Sequence, residues 1–159
     1  PLKYAQAISE ARSDKGTRGK PKEDDIYGMS PVNYLKIDQV PSVDDMSAIV
    51  DAFRSAEYFV TSGEVLIPSF SYEVTEDQDY IVAEVEWTFP LEFVELVYGD
   101  GETIGNTQLM MKDLDEFGKK TFRIPFDPSG KAWVRFAAWD MATNGAFVQP
   151  IDLRQKQRD

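Results

Sequence analysis

The strongest constraint on how this chain can fold is a change of hydrophobic period near residue 65. Over 80–89 the residues alternate strictly, with Ile81, Ala83, Val85, Trp87 and Phe89 on one side and Val82, Glu84, Glu86 and Thr88 on the other. Successive side chains of a strand point to opposite faces, so a period of two marks a strand with one buried face. Comparable runs cover 65–74, 93–98, 103–111, 120–126, 132–140 and 146–153, and turn-forming clusters separate them at 76–79, 99–101, 115–118, 127–130 and 143–145. Those clusters are rich in Asp, Asn, Gly and Pro, which supply the backbone angles and local hydrogen bonds that reverse a chain. Seven short strands at this spacing predict an antiparallel β-sandwich of immunoglobulin-like size. The chain has no Cys, so the cystine framework of a true immunoglobulin domain is absent and apolar packing alone must hold the core.

Before residue 63 the pattern is not alternating. Residues 32–37 read as a strand from their β-branched and aromatic content, closed by Pro41. Ser42 is placed to cap a helix reaching residues 55–57. Asp44 and Asp45 then fall in its first turn, and Met46, Ile49, Val50 and Phe53 share one face. Residues 58–61 read as a short strand punctuated by Gly63. Further upstream, 4–12 is helix-permissive, and 14–21 is a breaker-rich basic loop read as a solvated connection. The expected fold is mainly β and α+β overall. An N-terminal helix, basic loop and β-α element occupy 1–62, the sandwich 63–153, and a polar tail 154–159.

Charge and composition narrow the function. The chain of 159 residues carries 28 acidic and 17 basic residues, a net charge of -11, and no His. Residues 1–22 hold six bases and two acids, a balance of +4, whereas residues 23–150 hold 24 acids and eight bases, a balance of -16. Such a body lacks the contiguous Lys/Arg surface that a phosphate backbone requires, so nucleic acid is not an expected partner. No apolar run approaches the roughly 20 residues of a membrane-spanning helix. The expectation is a soluble chain with no membrane span, its compartment left open between cytoplasmic and secreted or periplasmic. Without His or Cys there is no Ser-His-Asp or Cys-His nucleophile, no imidazole or thiolate zinc site and no imidazole pH switch.

Two kinds of candidate site remain. Carboxylates are the only plausible metal ligands, and Glu76, Asp77 and Asp79 crowd one turn while Asp113 and Asp115 crowd another. Calcium, a hard oxygen-seeking cation, is conceivable there, although neither turn matches an EF-hand and turns are commonly acidic because Asp bonds its own backbone. The second candidate lies on 132–140, where alternation puts Trp133, Arg135, Ala137 and Trp139 on one side. Two indoles flanking a guanidinium form a stacking platform suited to a sugar ring if exposed, and a packing surface if covered.

Three stretches resemble a known family. Residues 51–64, Asp-Ala-Phe-Arg-Ser-Ala-Glu-Tyr-Phe-Val-Thr-Ser-Gly-Glu, resemble the helix-then-strand pattern ALRxGxxFVTxG near the end of the catalytic region in PHP-like metallohydrolases of the CehA/McbA type. Residues 25–37 look like that group's last barrel strand, NPxGYNRVYV. Residues 133–140 and 145–153 resemble its closing strands, WxRxxxxD and AFTNPIxV. The resemblance implies a distorted α/β barrel that binds metals through several His and a few acids, followed by a β-sandwich tail. With no His in this chain, none of the family's metal-binding motifs carries over to any position. The implied role is a non-catalytic C-terminal scaffold or accessory region supporting a catalytic barrel not present in this chain. No cofactor is expected here, and a divalent metal only in that parent barrel. A β-α unit cannot bury its apolar face alone. Residues 25–62 are therefore expected to expose apolar surface to a protein partner, either the missing catalytic domain or a second copy. Ala56 stands where the family pattern usually has Gly, a substitution that suffices only if the backbone there avoids positive φ. The alternatives are a stand-alone β-sandwich binding module for carbohydrate, using Trp133, Arg135 and Trp139, and a carboxylate-only metal-dependent hydrolase.

Overall fold

The computed structural model describes residues 31–154; the expected features over 4–12, 14–21, 25–30 and 155–159 lie outside the described residues. Strand β1 (Val32–Leu35) is followed by helix α1 (Ser47–Arg54) and strand β2 (Tyr58–Thr61). Then come β3 (Val65–Glu73), β4 (Tyr80–Trp87), β5 (Leu91–Gly99), β6 (Ile104–Met110), β7 (Gly118–Pro125), β8 (Trp133–Asp140), β9 (Gly145–Val148) and β10 (Ile151–Asp152). All pairings are antiparallel. The first sheet has seven strands in the order β1-β2-β9-β8-β5-β6, with β10 also on β8, and the second has three in the order β3-β4-β7. The molecule is a β-sandwich, as the alternation predicts.

The core lies between the inner faces of the two sheets. Ile81, Ala83, Val85 and Trp87 of β4 are buried while the residues between them are not, so the period-two reading of this strand holds to its end. Facing them from the large sheet are Val94 and Leu96 of β5 and Val134, Phe136 and Ala138 of β8. Phe89 breaks the pattern. β4 stops at Trp87, and Phe89 sits in the following turn at 45% exposure.

Register explains a feature shared by all three tryptophans. Trp133 is paired with Gly99, Trp139 with Gly145, and Trp87 with Gly118. A Cβ on Gly99 would lie 3.0 Å from the Trp133 ring, one on Gly118 3.2 Å from Trp87, and one on Gly145 only 2.3 Å from Trp139. Each indole therefore rests on the bare backbone of its cross-strand neighbour, covering a position where glycine would otherwise leave the sheet thin.

Two expectations need correction. The helix starts at Ser47, not Ser42, because Asp45 Oδ1 accepts the Ser47 N–H at 3.0 Å and the Asp45 N–H donates to the Ser42 carbonyl at 3.3 Å. This local turn outcompetes helical bonding, leaves Met46 at the N-cap, and puts Asp44 and Asp45 ahead of the first turn. The run over 146–153 is two strands, since Pro150 has no N–H to donate to the ladder where it would face β8. Strand β2, which the expected boundary groups with the N-terminal element, pairs with β9 of the sandwich.

Ala56 has φ of 61°. The Glu57 N–H donates to the Ala52 carbonyl at 3.0 Å, and the Ala56 N–H donates to the Phe53 carbonyl at 3.4 Å. These are the two bonds of a Schellman C-cap, which needs a left-handed residue at this position. The condition under which alanine would suffice is thus not met.

Candidate functional site

The two acidic turns come apart on the fold. Residues 74–79 join β3 to β4 at the Tyr80 end of β4, where Tyr80 pairs with Pro125. Asp113 and Asp115 lie at the other end, where the Asp115 carbonyl accepts the Trp87 indole N–H at 3.0 Å. Eight residues of strand separate the clusters by roughly 23 Å, so they cannot share an ion. Within the first turn, Asp79 accepts a hydrogen bond from the Tyr72 hydroxyl, and burial with the nearby Asp79 charge raises the Tyr72 pKa. Thr75 Oγ1 accepts the Gln78 N–H at 3.2 Å. Among the described residues, no three His, Cys, Asp or Glu side chains are grouped to hold a metal.

Trp133, Arg135 and Trp139 share one side of β8, as alternation predicts, and that side faces outward from the seven-stranded sheet, with all three partly buried. They do not form one platform. The Trp139 indole N–H donates to Glu95 Oε1 at 3.1 Å and its ring lies against Phe93, with centroids 6.5 Å apart. Glu95 is itself only 9% exposed, and Asn106 and Gln108 of the edge strand each donate to its Oε2 at 3.4 Å. Trp139 is therefore tied into a polar clasp, while Trp133 sits six residues along the strand, roughly 20 Å away.

Trp133 and Arg135 instead line a groove of about 570 Å³ with Val97, Ile104, Pro150, Asp152 and Arg154. The register builds it: Ile104, Gly99, Trp133 and Asp152 form one row across β6, β5, β8 and β10, and Val97 pairs with Arg135 in the next. The Arg135 guanidinium lies 5.0 Å from the Phe147 ring. Asp152 grips Arg154 with a two-pronged bond, Nη2 to Oδ2 at 2.6 Å and Nε to Oδ1 at 3.0 Å. That ion pair holds the Asp152 carboxyl down at about 2 and raises the Arg154 pKa. Asp152 and Arg154 were missed in the sequence, where they read as the end of the last strand and the start of a polar tail.

The other conspicuous surface surrounds β1 and α1. Met46, Val50 and Phe53 of the helix face are 48%, 42% and 44% exposed, and Val32 and Tyr34 of the edge strand are 46% and 48% exposed. Only Ala52 of α1 is buried. No helix among the described residues is long and apolar enough to cross a membrane. Comparisons with protein-family models, curated proteins and solved structures returned no match.

Residues of 51–64, 133–140 and 145–153 hold turns together. Fully buried Asp140 accepts the N–H groups of Ala142 at 2.9 Å and Asn144 at 2.8 Å, locking the β8–β9 turn. The Thr61 hydroxyl bonds to the Val65 carbonyl and accepts the Gly63 N–H at 2.9 Å. The Ser62 hydroxyl accepts the Gly145 N–H at 2.8 Å, which joins the two motifs at one end of the sheet.

Proposed function

We propose that this chain is a non-catalytic scaffold, the closing β-α element and immunoglobulin-like tail of a PHP-like metallohydrolase, which docks on a catalytic barrel through β1 and α1. The observation that carries the reading is the apolar face of α1, left half exposed beside an edge strand with no charged residue in it. Met46, Val50 and Phe53 already bury about half their surface, so covering the rest contributes on the order of 1 kcal/mol each. A further support is that Thr61, Gly63, Asp140 and Gly145 hold turns together, as scaffold residues do. Metal chemistry in this reading belongs to the barrel.

The test is a hydrophobic-dye and sedimentation comparison of the chain with a Val50→Lys/Phe53→Lys variant, alongside phosphomonoester and phosphodiester assays with added divalent metal. The chain is expected to bind dye or self-associate, the variant to lose that behaviour, and neither to hydrolyse substrate. A monomeric chain that binds no dye and melts cooperatively removes the main support, and metal-dependent turnover by the chain alone overturns the reading.

A further inference from the structure

We propose that β6 is a self-association edge, on which two copies of this chain pair antiparallel about a two-fold axis at Thr107 and join their seven-stranded sheets. The inference is independent of the scaffold reading, since β6 and β1 are opposite edges of that sheet. It starts from how the sheet edges are protected. A free edge presents unpaired N–H and C=O groups, and proline, charge, a bulge or short length normally blunts it. Edge strand β3 has a register shift between Leu66 and Ser69 with Pro68 inside it, β7 carries Lys119, Lys120, Arg123 and Pro125, and β1 has four residues. β6 has none of these devices: Ile104–Met110 is seven residues without a charge or a proline, in unbroken register with β5. Ile104 and Met110 at its two ends are 75% and 56% exposed.

Two bonds fix which backbone groups of β6 are free. The Met111 N–H donates to the Glu92 carbonyl at 2.8 Å, and the Thr103 carbonyl accepts the Asp100 N–H at 3.4 Å, so the odd-numbered residues turn toward β5. Bonding direction alternates along an antiparallel strand, which leaves Ile104, Asn106, Gln108 and Met110 bonding outward. A two-fold axis at Thr107 sets Ile104 opposite Met110 of the second copy and Asn106 opposite Gln108, closing about eight backbone hydrogen bonds. The exposed apolar ends then cover each other, and Thr107 meets Thr107, a favourable cross-strand pair. Two residues beyond either end of the strand, exposed Glu102 falls opposite exposed Lys112 of the second copy. The axis that matches the apolar ends therefore also pairs opposite charges, which is the argument for a second copy as the occupant. The contact is a strand roughly 24 Å long, its area below the roughly 1,200 Å² of a standard interface, and each chain carries a net charge of -11. The dimer is accordingly weak, with a Kd on the order of 0.1 mM.

The experiment follows the full chain by sedimentation equilibrium and amide hydrogen exchange from about 0.01 to about 1 mM, a range that brackets that Kd. The Val50→Lys/Phe53→Lys variant is run beside it, so that association through the β1–α1 edge is removed and the two readings fail separately. Both proteins are expected to dimerise reversibly. Exchange at Asn106, Gln108 and Met110 should slow as concentration rises, while Gly105, Thr107 and Leu109 are protected throughout by β5. Thr107→Lys, which sets two ammonium groups against each other at the axis, should be monomeric at the highest concentration with an unchanged circular dichroism spectrum. Glu102→Lys should weaken the dimer about fivefold, and Glu102→Lys/Lys112→Glu should restore it. A Val50→Lys/Phe53→Lys variant that stays monomeric at the highest concentration overturns the proposal, as does a dimer that survives Thr107→Lys. A charge swap that fails to restore association overturns the two-fold register on which it rests.

Discussion

Replacing Ala56 with glycine should stabilise this protein. Ala56 occupies the left-handed position of a Schellman cap, at φ of 61°, with its methyl group exposed. A residue with a Cβ costs about 1–2 kcal/mol in that conformation because the Cβ crowds a carbonyl oxygen. Glycine removes the crowding but enlarges the unfolded ensemble, which returns about 0.4–1 kcal/mol. No packed contact is lost, so the net gain is about 0.5–1 kcal/mol, equivalent to a rise in Tm of about 2–3 °C for a chain of this length. Urea denaturation gives the global figure. Hydrogen exchange of the Glu57 amide, which donates to the Ala52 carbonyl at 3.0 Å, gives the local one if α1 frays ahead of the sandwich. Ala56→Val should go the other way by at least as much, since a β-branched side chain tolerates positive φ worst. If Ala56→Gly lowers stability and leaves Glu57 exchange no slower, the positive φ is not a strain and the reasoning fails.

Gly145→Ala should cost about 1–3 kcal/mol in denaturant titrations, because its Cβ would meet the Trp139 ring at 2.3 Å and the Ala138 carbonyl at 2.8 Å. The altered Trp139 indole N–H shift should report a disturbed bond to Glu95, and an unchanged spectrum would refute the stacking account. Asp140→Ala leaves the Ala142 and Asn144 N–H groups without their acceptor and should cost about 2–4 kcal/mol, an effect Asp140→Asn should partly spare. Acid titration tests Asp100, whose carboxyl is held at about 2 by N–H groups of Thr103 and Glu102 and by the Thr103 hydroxyl. Its folded pKa lies below the unfolded value, so its stabilisation is present above about pH 4 and lost as pH falls toward 2. Asp100→Asn should flatten the acid limb of a stability-versus-pH curve, and an unaltered limb would count against the assignment.

The strands were legible because period two is a local property: β4 carries it without ambiguity, whereas β8 is largely apolar on both sides. Trp133 and Arg135 could still be placed on one side of their strand from sequence. Their partners could not, because register is decided between strands. Gly99, Gly118 and Gly145 read as turn residues, yet they are the terminal residues of β5, β7 and β9, each set opposite a tryptophan. Trp139 looked like the twin of Trp133 because nothing along the chain reveals that Glu95, 44 residues away, takes its indole proton. Asp152 and Arg154 were invisible for the same reason: only the pairing of β10 with β8 brings them beside Trp133. The helix start failed on a local competition instead, between Ser42 as a cap and the turn that Asp45 makes with Ser47.

The two outer faces of the sandwich differ in a way that bears on where partners bind. On the three-stranded sheet, charges pair across the strands: Lys119 bridges Glu84 at 2.8 Å and Glu86 at 3.0 Å, and Arg123 pairs with Glu73 at 3.3 Å while its guanidinium sits 3.2 Å from the Tyr80 ring centroid. Exposed pairs of this kind contribute little to stability and suit a face that stays in water. The outer face of the large sheet instead presents Phe93, Val97, Trp133 and Trp139 around the buried carboxylate of Glu95. A sheet with one solvated side should alternate apolar and polar residues, as β4 does, and β8 departs from this by putting aromatic residues on its outward side as well. Trp133 and Val97 keep part of their surface in solvent on this outward side. The Val50→Lys/Phe53→Lys variant probes the other apolar surface of the same sheet, its β1–α1 edge, where Val32 and Tyr34 are also exposed.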